Sequence, residues 1–162
     1  MATKKYLYEC DALNGKEGSG FATIDGKVVE IFRFKNFNLK ASFDEVPFKV
    51  VGTIKKQKKT TGIELSGSFV VYMGMPEWAD IVNKYLKTGK CTYFELQISN
   101  DDPNVTIGGQ TLAIHKVKIT EADIIKLDAD ADFLDQSVSY TCLDFDILEA
   151  FNLPAEVGIN DF

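Results

Sequence analysis

Over most of this chain apolar residues alternate with polar ones, a period of two that puts one face of a strand on a core and the other in water. From Asn36 to Phe43 the alternation is clean, with Phe37, Leu39, Ala41 and Phe43 pointing one way and Asn36, Asn38, Lys40 and Ser42 the other. It recurs from Ile63 to Met73, where Ile63, Leu65, Phe69, Val71 and Met73 oppose Glu64, Ser66 and Ser68, and in Phe94, Leu96 and Ile98 against Glu95, Gln97 and Ser99. Strands that are wet on one side belong to antiparallel sheets. Runs at Phe21 to Ile24 and Val28 to Phe34 are joined by Asp25-Gly26, a dipeptide that tolerates the positive φ angles of a tight hairpin. Between Val138 and Ile147 the polar positions switch from odd (Ser139, Thr141) to even (Asp144, Asp146), so a bulge is expected near Cys142.

One segment follows a different period. Trp78, Ile81, Val82, Tyr85 and Leu86 recur at helical spacing, with Glu77, Asp80, Lys84 and Lys87 on the other side. Pro76 suits the first helical position and Gly89 a left-handed stop, so an amphipathic helix is expected over about residues 76–88. Its apolar face would pack on the outside of the β structure. The fold class is therefore mainly β, an antiparallel barrel or sandwich with one flanking helix. No repeat or Pro/Gly/Ser-rich linker divides residues 1–162, so one domain is expected, with a Lys-rich loop at about 44–62 and a C-terminal tail at 152–162. A chain of 162 residues buries enough surface to hold a core without disulfides or metal.

Charge and cysteine usage narrow the function. Lys and Arg number 18 against 24 Asp and Glu, and a formal charge of −6 argues against a surface that grips nucleic acid everywhere. Three scattered cysteines, Cys10, Cys91 and Cys142, and one histidine, His115, fit neither zinc nor thioredoxin spacings and suit a reducing compartment. No apolar run approaches a membrane span and none follows the N-terminal lysines, so a soluble protein kept inside the cell, or exported within a larger particle, is expected.

Catalytic chemistry finds no constellation here. His115 has no Ser or Cys motif beside it and reads as structural. Asp128-Ala-Asp130-Ala-Asp132 opens like a calcium loop but puts Phe133 where the turn needs Gly and Ser139 where a bidentate Glu should close it, which leaves an acidic solvated turn. Gly62 and Gly108-Gly109 sit in no phosphate-binding pattern and read as turns. Asn104-Val105-Thr106 matches the glycosylation rule without a secretory signal. No cofactor or metal is expected, nor an enzyme. What remains is a basic run, Lys55, Lys56, Lys58 and Lys59, and an acidic one from Glu121 to Asp135, with further acids at Glu149 and Glu156. Opposite charges on one chain are what head-to-tail self-association needs.

The order of segments resembles the tail tube proteins of contractile phage tails and of related particles such as R-type bacteriocins and defective prophages. The resemblance runs from about Gly15 to Phe151: Asn14-Gly15-Lys16-Glu17-Gly18, the Asp25-Gly26-Lys27 hairpin, Lys59-Thr60-Thr61-Gly62, Ser66-Gly67-Ser68-Phe69, Tyr85-Leu86-Lys87-Thr88-Gly89, Tyr93-Phe94-Glu95-Leu96-Gln97, and Tyr140-Thr141-Cys142-Leu143-Asp144-Phe145-Asp146. It implies hexameric rings that pair strands between copies and stack into a rigid hollow tube. A contractile sheath would surround the tube, and baseplate and terminator proteins would be its other partners. Such a protein is assembled in the bacterial cytoplasm and leaves in the particle. On this reading Lys55, Lys56, Lys58, Lys59, Thr60, Thr61 and Gly62 make an inter-ring contact. Glu64, Ser66, Ser68, Asp144 and Asp146 are candidates to face a neutral or acidic lumen, through which DNA slides without specific binding or ions pass. The type VI secretion tube protein is the similar alternative, and a small-ligand-binding β-barrel is the alternative from another class.

Overall fold

The computed structural model describes residues 5–6, 15–31, 34–103, 108–151 and 157–158. Cys10, the Asn104-Val105-Thr106 sequon, Glu156 and most of the 152–162 tail lie outside these residues. The strands are β1 (Lys5–Tyr6), β2 (Gly18–Ile24), β3 (Lys27–Glu30), β4 (Phe34–Phe48), β5 (Gln57–Tyr72), β6 (Phe94–Asn100), β7 (Gln110–Ala122), β8 (Asp135–Cys142), β9 (Asp144–Glu149) and β10 (Val157–Gly158). One helix, α1 (Glu77–Thr88), falls between β5 and β6. The class is mainly antiparallel β with a single helix among the described residues, and that helix is not long and apolar enough to cross a membrane.

The chain divides into two compact units, one of Met1–Phe32, Phe94–His115 and Phe145–Phe162, the other of Arg33–Tyr93 and Lys116–Asp144. Alternation along a strand says which residues are buried but not which strands share a core, so this division is invisible to it. In the first unit the strand order is β3-β2-β6-β7, with β9 also on β7, and β1 pairs separately with β10. The β2–β3 hairpin turns at Asp25 (φ 51°) and Gly26 (φ 80°), two positive φ angles in succession, as Asp-Gly suits. Phe94 and Leu96 are buried while Glu95 and Gln97 are exposed, and Ala22, Ile31 and Ile114 complete the buried apolar set.

In the second unit the order is β7-β8-β5-β4. Among the described residues the strand order does not close into a barrel. Register places Phe37, Phe69 and Val138 directly across from one another, and likewise Leu39, Gly67 and Tyr140. The rings of Phe34, Phe37, Phe69, Trp78 and Tyr140 lie 5.1–6.1 Å apart between centroids in the recorded pairs, an aromatic cluster that carries much of this unit's apolar burial.

The helix starts one residue after Pro76, which precedes it with φ −80°, and ends at Gly89, whose φ of 72° lets its N–H donate to Tyr85 O at 2.8 Å. Its packing face is shorter than periodicity implies. Trp78 and Ile81 are buried and Val82 half-buried, whereas Tyr85 and Leu86 are exposed. Two further differences concern the strands. The 44–62 segment is no loop, because β4 and β5 form one long hairpin in which Val46 pairs with Lys59 and Phe48 with Gln57, leaving 49–56 as its tip. Backbone pairing holds these residues extended with both faces exposed, and Pro47 with the lysine run masks the short alternation of Val46, Phe48 and Val50. At the phase flip, β8 ends at Cys142 and β9 begins at Asp144, which replaces the expected bulge by a break at Leu143.

Candidate functional site

The strand ladders of the second unit sort its side chains onto two faces. Lys40, Ser66, Thr141 and Lys118 are directly opposed across β4, β5, β8 and β7, and Asn38, Ser68, Ser139 and Glu121 form the next row. Ser42 and Glu64 begin a third. This face mixes hydroxyl and amide groups with four charged side chains, and those charges, Lys40 and Lys118 against Glu64 and Glu121, balance to zero. Asn38 is tied to it by accepting the Ser68 N–H at Oδ1, 3.1 Å away.

The structure therefore brings Glu64, Ser66 and Ser68 together on one face. It does not bring Asp144 and Asp146 there, since these lie on β9, and Asp146 is engaged elsewhere. The residues that sequence reasoning left out of this face are Asn38, Lys40, Ser42, Lys118, Glu121, Ser139 and Thr141. The wet side of the 36–43 strand was readable, but cross-strand register, which alone puts these rows side by side, was not.

Under the same sheet, Tyr140 crosses beneath Gly67 and its hydroxyl donates to Asn38 O at 2.7 Å. Burial pushes this phenol well above its ordinary pKa, and the nearby Cys142 adds to the effect, so it stays a neutral donor.

The lysines split between two settings. Lys55 and Lys56 are in the hairpin tip, while Lys58, Lys59, Thr60, Thr61 and Gly62 are in β5, where Thr61 marks a bulge between the Asp44–Gly62 and Glu45–Thr60 pairs. All four lysines are exposed. Alongside them Phe43, Val46, Phe48, Val50, Val51, Ile54 and Ile63 are exposed too, a concentration of apolar surface that isolated soluble chains rarely leave uncovered.

The acidic stretch is the 123–134 connection from β7 to β8. Asp135 at its end already holds Lys126 Nζ at 2.9 Å and Lys35 Nζ at 3.4 Å, and these cations, Lys126 first, keep its carboxyl below the usual range. Asp128 accepts the Asp130 N–H at 3.0 Å, as a solvated turn would. Asp128, Asp130 and Asp132 are exposed.

In the first unit, the imidazole of His115 on β7 sits between Asp146 of β9, 2.9 Å from Nε2, and Glu95 of β6, 3.4 Å from Nδ1. The Asp146 hydrogen bond chiefly raises its pKa, partial burial opposes that, and Glu95 adds to it. A pKa raised on folding makes protonated His115 stabilising below about pH 6.5, and that contribution is lost as pH rises through the folded value. The pair is solvent-exposed, so its effect is about 0–1 kcal/mol. Urea unfolding should show the parent losing stability relative to His115→Gln between pH 6 and 9; parallel pH profiles would contradict this reading.

A family model described as phage tail tube protein matches residues 5–149. The chain belongs to that family. Two Bacillus subtilis (strain 168) proteins are similar over 139 residues, covering 86% of this chain and 92% of theirs: YqbM at 30% identity, and the phage-like element PBSX protein XkdM at 29%. Solved structures share the tube protein's fold at low identity. A chain of the anti-feeding prophage baseplate, 6-fold symmetrised, aligns with a TM-score of 0.66 at 11% identity, covering 82% of this chain and 92% of that one. A chain of the sheath-tube complex of an extracellular contractile injection system, PVC, in the extended state, aligns at 0.60 and 14%, covering 81% and 88%. The tube protein is thus a structural subunit of the phage tail tube type.

Proposed function

We propose that this tube protein forms hexameric rings that stack into a hollow tube, with the Ser66–Ser68 sheet face turned to the lumen and its role structural rather than catalytic. The observation that carries the lumen assignment is a polar face of balanced charge on one side of a sheet whose other side packs aromatic residues. A face without net charge or apolar patches holds neither phosphates nor side chains, so DNA or hydrated ions would pass without specific binding. β4 supports the same reading. Among the described residues this 15-residue strand pairs only with β5, and so long an open edge invites a strand from another copy.

A sheath would surround the tube, with baseplate and terminator proteins at its ends, as the likeness to sheath-tube and baseplate chains suggests. Assembly would take place in the bacterial cytoplasm and the tube would leave in the particle.

Electron microscopy of concentrated purified protein tests the assembly, with rings or tubes of six-fold symmetry as the expected result. A monodisperse monomer at high concentration would sink it. Ser66→Cys tests the face: in assembled tubes the new thiol should react with a small maleimide and resist one carried on a folded protein too large for the channel. Equal labelling by both reagents would remove this face from the lumen.

A further inference from the structure

The hairpin tip and the acidic connection lie at opposite ends of the same strands. β5 has 16 residues and starts beside the tip; its last residue, Tyr72, pairs with Asp135, where the 123–134 connection enters β8. At 3.2–3.4 Å per residue β5 spans about 50 Å. The Tyr72 and Phe133 rings, 6.3 Å apart, confirm that the connection lies at that far end. A tip held in a paired hairpin cannot fold back over this distance, so the two charges cannot meet within one chain.

Each end also exposes apolar side chains that its own chain does not cover. At the tip Val51 and Ile54 are as exposed as in an extended peptide, beside Lys55, Lys56, Lys58 and Lys59. On the connection Ile125, Leu127 and Phe133 are 77%, 85% and 79% exposed, interleaved with Asp128, Asp130 and Asp132. The two patches match in kind and oppose in sign.

Resting on the tube reading above, we propose that the tip of one copy docks on the 123–134 connection of a second copy, Val51 and Ile54 against Ile125, Leu127 and Phe133, with the lysines set against Asp128, Asp130 and Asp132. Different patches at opposite ends make a heterologous contact, and one that repeats along the strand direction propagates without closing, as a stack requires. The apolar contact supplies affinity, and the charges set polarity and register while suppressing tip-to-tip encounters.

Charge reversal tests the pairing. One variant carries Lys55→Glu, Lys56→Glu, Lys58→Glu and Lys59→Glu; the other carries Asp128→Lys, Asp130→Lys and Asp132→Lys. Each alone should raise the protein concentration needed for tube growth at low salt by about tenfold or more, since like charges then face each other. An equimolar mixture should grow tubes near the parent threshold, because every tip then finds an opposite charge on the other variant. Growth of both variants at the parent threshold, or no rescue on mixing, would overturn the pairing while leaving the tube reading intact. A photoreactive benzoylphenylalanine at Ile54 gives a readout independent of tube growth: it should crosslink to residues 124–133 of a second copy. Such crosslinks in a parent protein that makes no tubes would uphold the docking and remove the tube reading; crosslinks elsewhere, or none between copies, would overturn the docking.

Discussion

Replacing Trp78 with alanine is expected to lower stability by about 3–5 kcal/mol, the range for removing a buried aromatic side chain. Trp78 is fully buried, and its ring centroid is 5.1 Å from that of Phe69, itself fully buried between Phe34, Phe37 and Tyr140. Removing the indole leaves a void under α1 that β5 cannot fill, because its register is held by β4 on one side and β8 on the other. Tyr85→Ala and Leu86→Ala provide the contrast. Both side chains are exposed, so in the isolated chain each should cost well under about 1 kcal/mol. Urea unfolding of the three variants measures this directly. A loss below 1 kcal/mol for Trp78→Ala would mean that the helix does not hold its core as described.

Gly67→Ala is expected to cost about 1–3 kcal/mol or more, in the manner of an overpacked core. A Cβ at this position would run into the backbone carbonyl of Asn38, and would lie 2.7 Å from the Tyr140 hydroxyl and 2.9 Å from the ring carbon bearing it. The carbonyl cannot retreat without breaking the β4–β5 ladder, and moving the ring sacrifices the hydrogen bond from Tyr140 to Asn38. That bond alone contributes about 1 kcal/mol. The obstruction has two parts, so Gly67→Ala combined with Tyr140→Phe should be less destabilised than the sum of the single changes. Full additivity, or a Gly67→Ala variant as stable as the parent, would show that the tyrosine does not pass beneath the glycine.

Ser66-Gly67-Ser68 shows how much of the site was legible. The two serines were readable as wet positions because each is two residues from the next and opposed to Leu65 and Phe69. Gly67 carried no signal of its own, since what fills its place is a tyrosine 73 positions away on β8. Likewise the lysine run was conspicuous as charge but not as the rim of a hairpin. Strand pairing there comes from Glu45, Val46, Pro47 and Phe48; Val46, Phe48 and Val50 keep a period of two, but Pro47 and the lysines beyond it read as a loop.

The sequence by itself determined the antiparallel class, the Asp25-Gly26 turn and the start and stop of α1, because each of these follows from residues within a few positions of one another. Only the tertiary structure decided which strands are neighbours, where the polar rows line up, that the helix face stops short of Tyr85 and Leu86, and that the basic tip and acidic connection stand at opposite ends of one sheet. Those properties depend on register between segments tens of residues apart, and a period of two is the same whichever strand lies alongside.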